Sequence, residues 1–152
     1  PIYFHLPEYA IAQYWNDISA AAPNTDFVIY NIPQLAGVAL TMNLFAEMRK
    51  NPRVIGVKNS SMPVQDIQMF KAAAGEDYVI FNGPDEQFMS GRVIGAEGAI
   101  GGTYGVIKAM LKINEGLELG GVREPLPALI ESDMAIVEEA AKMVRDAKEK
   151  FL

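Results

Sequence analysis

Lys58 closes the run Val54-Ile55-Gly56-Val57, residues of the kind that pack into a buried strand, so it is expected at the mouth of a sheet and partly desolvated. Burial disfavours an ammonium, and a lysine whose charged form is disfavoured is a nucleophilic amine able to form a Schiff base with a carbonyl compound. The same position suits a strand-end lysine that reaches out to water or pairs with a carboxylate. Tyr30 holds the equivalent place one strand earlier, in Tyr30-Asn31-Ile32-Pro33, where Pro33 turns the chain off the strand. A phenol beside an amine can relay protons while a carbinolamine forms or a carbon–carbon bond breaks; it can equally be a core tyrosine whose hydroxyl is satisfied at the rim. Asn82-Gly83-Pro84-Asp85-Glu86 sets two carboxylates directly after a third run, at the start of a helix. There they either complement the helix dipole or accept hydrogen bonds from substrate hydroxyls. Ser60 and Ser61, just after Lys58, are divided in the same way between helix capping and substrate contact.

Other chemistries find less support. Gly101-Gly102-Thr103-Tyr104-Gly105 allows backbone amides to approach a ligand closely, yet it has neither the Lys-Ser/Thr ending of a phosphate-binding loop nor the order strand, GxGxxG, helix of a dinucleotide site. His5, the only histidine, has no acids clustered with it in sequence, and cysteine is absent. A metal site, a serine triad, a disulfide framework and thiol catalysis are therefore not expected, and no cofactor is implied. The eight methionines are dispersed and read as core filler. Thirteen Lys and Arg against nineteen Asp and Glu give a net charge of −6, which argues against nucleic acid or an anionic membrane as partner. No apolar run approaches the roughly 20 residues that span a bilayer, and no basic segment with a short apolar core opens the chain, so the expectation is a cytoplasmic protein.

The elements that must position these residues follow from pattern. With 152 residues, half of them apolar, the chain is expected to form one domain over 1–152. Residues 27–31, 54–58, 78–82 and 98–102 form β-rich runs, the first three continuously apolar with a polar last residue, as in parallel strands buried on both faces. Helical periodicity lies between them. Glu8 to Ala22 follows Pro7; a short helix behind Thr41 as cap carries Leu44, Phe45 and Met48; Ser61 is placed to cap a helix from Pro63 to Ala74; and Asp85 to Ile94 closes on Gly95. Val137, Ala140, Val144, Ala147 and Phe151 mark an amphipathic last helix that docks on a core. Alternating strand and helix means a mostly parallel sheet, open or closed into a barrel, with function at the C-terminal strand ends, where Tyr30, Lys58, Asn82 and Asp85 fall.

Taken in order, Tyr30-Asn31-Ile32-Pro33, Gly56-Val57-Lys58-Asn59-Ser60-Ser61, Asn82-Gly83-Pro84-Asp85-Glu86 and Ile100-Gly101-Gly102-Thr103-Tyr104 resemble the pyruvate-dependent class I aldolase family of N-acetylneuraminate lyase and dihydrodipicolinate synthase. The lyase branch is the nearer, because Gln34-Leu35-Ala36 stands where the synthase branch carries an arginine. The resemblance implies a (β/α)8 TIM barrel, with this chain carrying roughly the last four strands and the C-terminal helix. It implies that Lys58 forms the Schiff base, that Tyr30 shuttles protons, and that Ser60, Gly83, Asp85 and Glu86 contact a sugar substrate. Gly102 stands where lyases commonly have a serine. The implied reaction is cleavage of N-acetylneuraminate or a similar 2-keto sugar acid to an amino sugar and pyruvate, by a homo-oligomer, a tetramer, without cofactor. The alternatives are a dihydrodipicolinate synthase-like or other 2-keto acid aldolase and an inactive half-barrel scaffold.

The chain also departs from the family. The Gly-Gly-x-Thr-Gly-Glu segment that binds the pyruvate carboxylate is not found in it, and Ile107 to Pro127, which resembles the approach to the final helix, follows Tyr104 almost at once. Spatial breaks are therefore expected before Pro1 and between Tyr104 and Ile107, with unpaired sheet edges that either the rest of a longer protein or a partner would cover.

Overall fold

The computed structural model describes residues 4–151; the break expected before Pro1 lies outside them. The chain forms two compact units, one through Gly102 and one from Thr103.

The first unit runs α1 (Glu8–Ala21), β1 (Phe27–Asn31), α2 (Pro33–Ala36), α3 (Met42–Met48), β2 (Val54–Asn59), α4 (Gln65–Ala74), β3 (Val79–Asn82), a 3₁₀ turn (Asp85–Gln87), α5 (Phe88–Val93) and β4 (Gly98–Ala99). Among the described residues the four strands form one parallel sheet in the order β1-β2-β3-β4. This is the wall of a partial barrel with β1 and β4 as unpaired edges.

Side chains alternate across a strand, and here the two faces differ. Ile29, Val57 and Ile80 are buried with Leu44, Phe45 and Met48 of α3 and Ile67 and Phe70 of α4. Phe45 meets Phe70 edge-on at 5.0 Å between ring centres. On the other face Val28 and Tyr30 are 41% and 51% exposed. Burial on both faces is thus not what four strands achieve. The runs are apolar on both sides because a closed barrel packs its interior, and these strands leave that side open.

Local signals account for most helix ends. The Leu44 N–H donates to Thr41 Oγ1 at 3.1 Å, capping α3. Ser61 does not cap α4, which starts at Gln65 without a side-chain cap, because its hydroxyl is engaged with Asn59 and Asp66. The expected helix from Asp85 opens as the 3₁₀ turn and becomes α-helical only at Phe88.

The second unit consists of α6 (Tyr104–Glu115) and α7 (Glu131–Phe151) with the loop that joins them. No break separates Tyr104 from Ile107: both lie in α6, and the Ile107 N–H donates to the Thr103 carbonyl at 3.0 Å. The stretch is helical by local preference and stops at Gly116, which adopts the left-handed conformation of a helix end. Only Val137 and Ala141 of α7 are buried, whereas Val144 and Phe151 are exposed. Glu115, at the end of α6, already pairs with Lys148, so Phe151 projects past the helix that would cover it.

Candidate active site

Parallel pairing places Tyr30 opposite Lys58 and Lys58 opposite Phe81, one row at the C-terminal ends of β1, β2 and β3. These side chains take the open face, because Asn31, Asn59 and Asn82 in the next row take the helix face and are buried. The Lys58 Nζ lies 3.8 Å from the centre of the Tyr30 ring, a cation–π contact. A hydrogen bond with Lys58 holds the Tyr30 phenol below the usual tyrosine range; partial burial works against this, while the Ser60 hydroxyl and the Lys58 charge add to it. An amine, an acidified phenol and a hydroxyl thus share one end of two neighbouring strands, the equipment for adding an amine to a carbonyl and moving the protons that follow.

The loops extend this cluster. The Gly83 N–H donates to the Asn59 carbonyl at 2.8 Å, which sets Gly83 against Ser60 so closely that a Cβ there would fall 1.9 Å from Ser60 Oγ. Asp85 Oδ2 accepts the Gly102 N–H at 3.0 Å, and Asp85 Oδ1 sits so close to Gly101 that a Cβ there would fall 1.5 Å from it. Asp85 therefore ties the loop after β3 to the loop after β4. Glu86 is exposed on the 3₁₀ turn. Tyr30, Lys58, Ser60 and Gly83 come together, and Asp85 and Gly102 form a second contact beside them. Ser61 faces the helices with 4% exposure and bonds Asn59 and Asp66, so neither of the two readings its position allowed, helix cap or substrate contact, holds.

Residue reasoning passed over Asn31 and Asn59. Their signal is repetition: an asparagine follows each of Tyr30, Lys58 and Phe81, and β1, β2 and β3 each end on it. Among the described residues no group of His, Asp and Glu is placed to hold a metal ion.

A parallel-barrel wall with a lysine at the end of one strand and a tyrosine at the end of its neighbour is an arrangement that imine chemistry could use. The profile of the dihydrodipicolinate synthetase family matches residues 1–143, and the chain belongs to that family. It is 68% identical over 196 residues to the N-acetylneuraminate lyase of Mediterraneibacter gnavus, a match that takes in 100% of this chain and 62% of the relative. The N-acetylneuraminate lyase of Lactiplantibacillus plantarum is 35% identical over 104 residues, 68% of this chain and 35% of that one. Among solved structures, wild-type Ruminococcus gnavus sialic acid aldolase superposes with a TM-score of 0.80 at 67% identity, covering 100% of this chain and 65% of its own. A dihydrodipicolinate synthase from Cyanidioschyzon merolae, 18% identical with 92% of this chain and 61% of its own covered, superposes with a TM-score of 0.73 and shares the barrel fold. The chain thus spans about six tenths of the Mediterraneibacter relative, and a match over 196 residues against the 152 here leaves some 44 residues of that relative opposite a gap.

Proposed function

We propose that this chain supplies the imine-forming part of a class I aldolase that cleaves N-acetylneuraminate or a similar 2-keto sugar acid to an amino sugar and pyruvate. The observation that carries the reading is the placement of the Lys58 Nζ over the Tyr30 ring, in a chain 68% identical to a lyase of that name. The Lys58 amine adds to the keto carbon, and the carbinolamine loses water as the Tyr30 phenol gives its proton to the departing hydroxyl, which leaves a protonated imine beside a phenolate. That imine accepts the electron pair of the breaking carbon–carbon bond and becomes an enamine, while Tyr30 takes the proton released by the sugar hydroxyl. Protonation of the enamine and hydrolysis then release pyruvate and restore the amine. Ser60, Gly83, Asp85, Glu86 and the Gly102 backbone line the side on which the sugar would lie. The same reading makes the protein a cytoplasmic homo-oligomer, a tetramer by likeness to the family.

The test is reductive trapping of the full chain with pyruvate and borohydride, followed by peptide mapping. One adduct, on Lys58, is expected, and an adduct elsewhere or none removes the assignment. In the same assay Asp85→Asn and Glu86→Gln should keep pyruvate trapping while slowing cleavage of the sugar acid, at about 1.5–3 kcal/mol for each charged hydrogen bond lost. Equal loss of both would make the two acids structural.

A further inference from the structure

Asn31 stands opposite Asn59, and Asn59 opposite Asn82, in the row directly after Tyr30, Lys58 and Phe81. The three amides face the helices and are 5%, 1% and 0% exposed. Burying an amide is costly unless its hydrogen bonds are restored, and an apolar side chain of similar volume would avoid that cost, so core stability alone does not explain them. Asn31 and Asn59 do more than satisfy themselves. The Asn31 Nδ2 donates to Asn59 Oδ1 at 2.7 Å, a buried bond across the two strands whose preceding residues are Tyr30 and Lys58.

Both ends of this bond are anchored. Asn31 Oδ1 accepts the Leu40 N–H at 3.0 Å, from the segment that follows α2. Asn59 Nδ2 donates to Ser61 Oγ at 2.8 Å, and the Ser61 hydroxyl donates to Asp66 Oδ2 at 2.6 Å in the first turn of α4. Main-chain bonding follows the same line, since the Ser60 N–H donates to the Asn31 carbonyl at 2.7 Å. Asn82 is not part of this line: its Nδ2 donates to the Pro84 carbonyl at 2.6 Å, and its Oδ1 has no partner. In a strand the direction of one side chain sets that of the residue before it, on the opposite face. Fixing Asn31 against Asn59 therefore fixes Tyr30 against Lys58.

We propose that Asn31 and Asn59 are positioning residues of the imine site, their bond and its anchor through Ser61 to Asp66 holding the two strand ends so that the Lys58 Nζ lies over the Tyr30 ring. This rests on the reading of Lys58 as the imine-forming residue. The pair acts from the far side of the sheet and touches no substrate.

The test is the double variant Asn31→Leu/Asn59→Leu in the full chain, which removes both amides of the bond and leaves the Leu40 N–H as the donor that loses its acceptor. Two readouts are taken. One is the phenolate titration of Tyr30, isolated by difference against Tyr30→Phe in each background; the other is the rate of pyruvate trapping on Lys58. At a thermal midpoint no lower than the parent's, the Tyr30 titration should move up toward the ordinary tyrosine range, and trapping should slow about tenfold or more, as expected for a reacting group displaced by a fraction of an ångström. A double variant with the parent's titration and trapping rate overturns the proposal and leaves the pair as packing. If the double variant does not fold, Ser61→Ala removes the anchor with the pair intact and must move both readouts in the same directions; no movement overturns the proposal equally. A parent chain that traps no pyruvate would sink the functional reading, whereas the Tyr30 titration would still decide whether the pair positions the contact.

Discussion

A single methyl group distinguishes two glycines of the candidate site. At Gly83 it would fall 1.9 Å from Ser60 Oγ and 2.8 Å from the Asn59 carbonyl oxygen, and the second of these is backbone that cannot move aside. At Gly102 no atom lies within 4 Å of the position a Cβ would take. Gly83→Ala should therefore push Ser60 away from Tyr30 and cost about 1–3 kcal/mol, the usual range for overpacking. Gly102→Ser, which installs the residue common in lyases, should leave stability as it is. Parallel denaturant titrations of the two variants check the contrast, and a Gly83→Ala chain as stable as the parent would mean that the loop after β3 yields more easily than its contacts imply.

At the scale of elements, β4 is only two residues long and is held in place from its base by Glu97. Glu97 exchanges main-chain and side-chain bonds with Ile80 of β3: its N–H donates to the Ile80 carbonyl at 3.0 Å, and its Oε2 accepts the Ile80 N–H at 2.6 Å. Its other oxygen pairs with Lys71 of α4. Burial pushes the Glu97 carboxyl up, but the Lys71 ammonium and the Ile80 N–H outweigh it and hold the group below its ordinary value. A carboxyl depressed in the folded state stabilises the protein above its unfolded pKa of about 4.3, and that contribution disappears as the pH falls through the folded value. Glu97→Gln should accordingly lower stability at neutral pH and flatten the acid limb of the stability curve below about pH 4.5. Urea midpoints measured across that limb check it; parallel curves for parent and variant would show that the pair adds nothing to folding.

For the molecule as a whole, protection should follow strand order. Strand β2 has a partner on both sides and carries Val57, fully buried, whereas β1 and β4 each present an unpaired edge. Hydrogen exchange followed by mass spectrometry should find β2 slowest, β1 and β4 faster, and the second unit, in which only Val137 and Ala141 of α7 are buried, faster still. Equal protection across all four strands would instead mean that other polypeptide covers the edges in solution.

What the amino-acid sequence determined by itself is local or ordered along the chain. The ends of the β-rich runs put Lys58 and Tyr30 at the mouth of a sheet, Thr41 capped its helix, and four motifs in sequence order pointed to the family and to part of a barrel. Tertiary structure decided what depends on register. Which face of each strand is covered, that Ser61 bonds inward to Asp66 and does not cap a helix, and that Asp85 spans to Gly102 all depend on partners brought together by packing. The bond between Asn31 and Asn59 joins residues 28 apart, and no local preference of either asparagine selects the other. Only the parallel register of β1 on β2 sets the two amides 2.7 Å apart, because strand pairing is fixed by the burial of a whole face and not by any one residue on it.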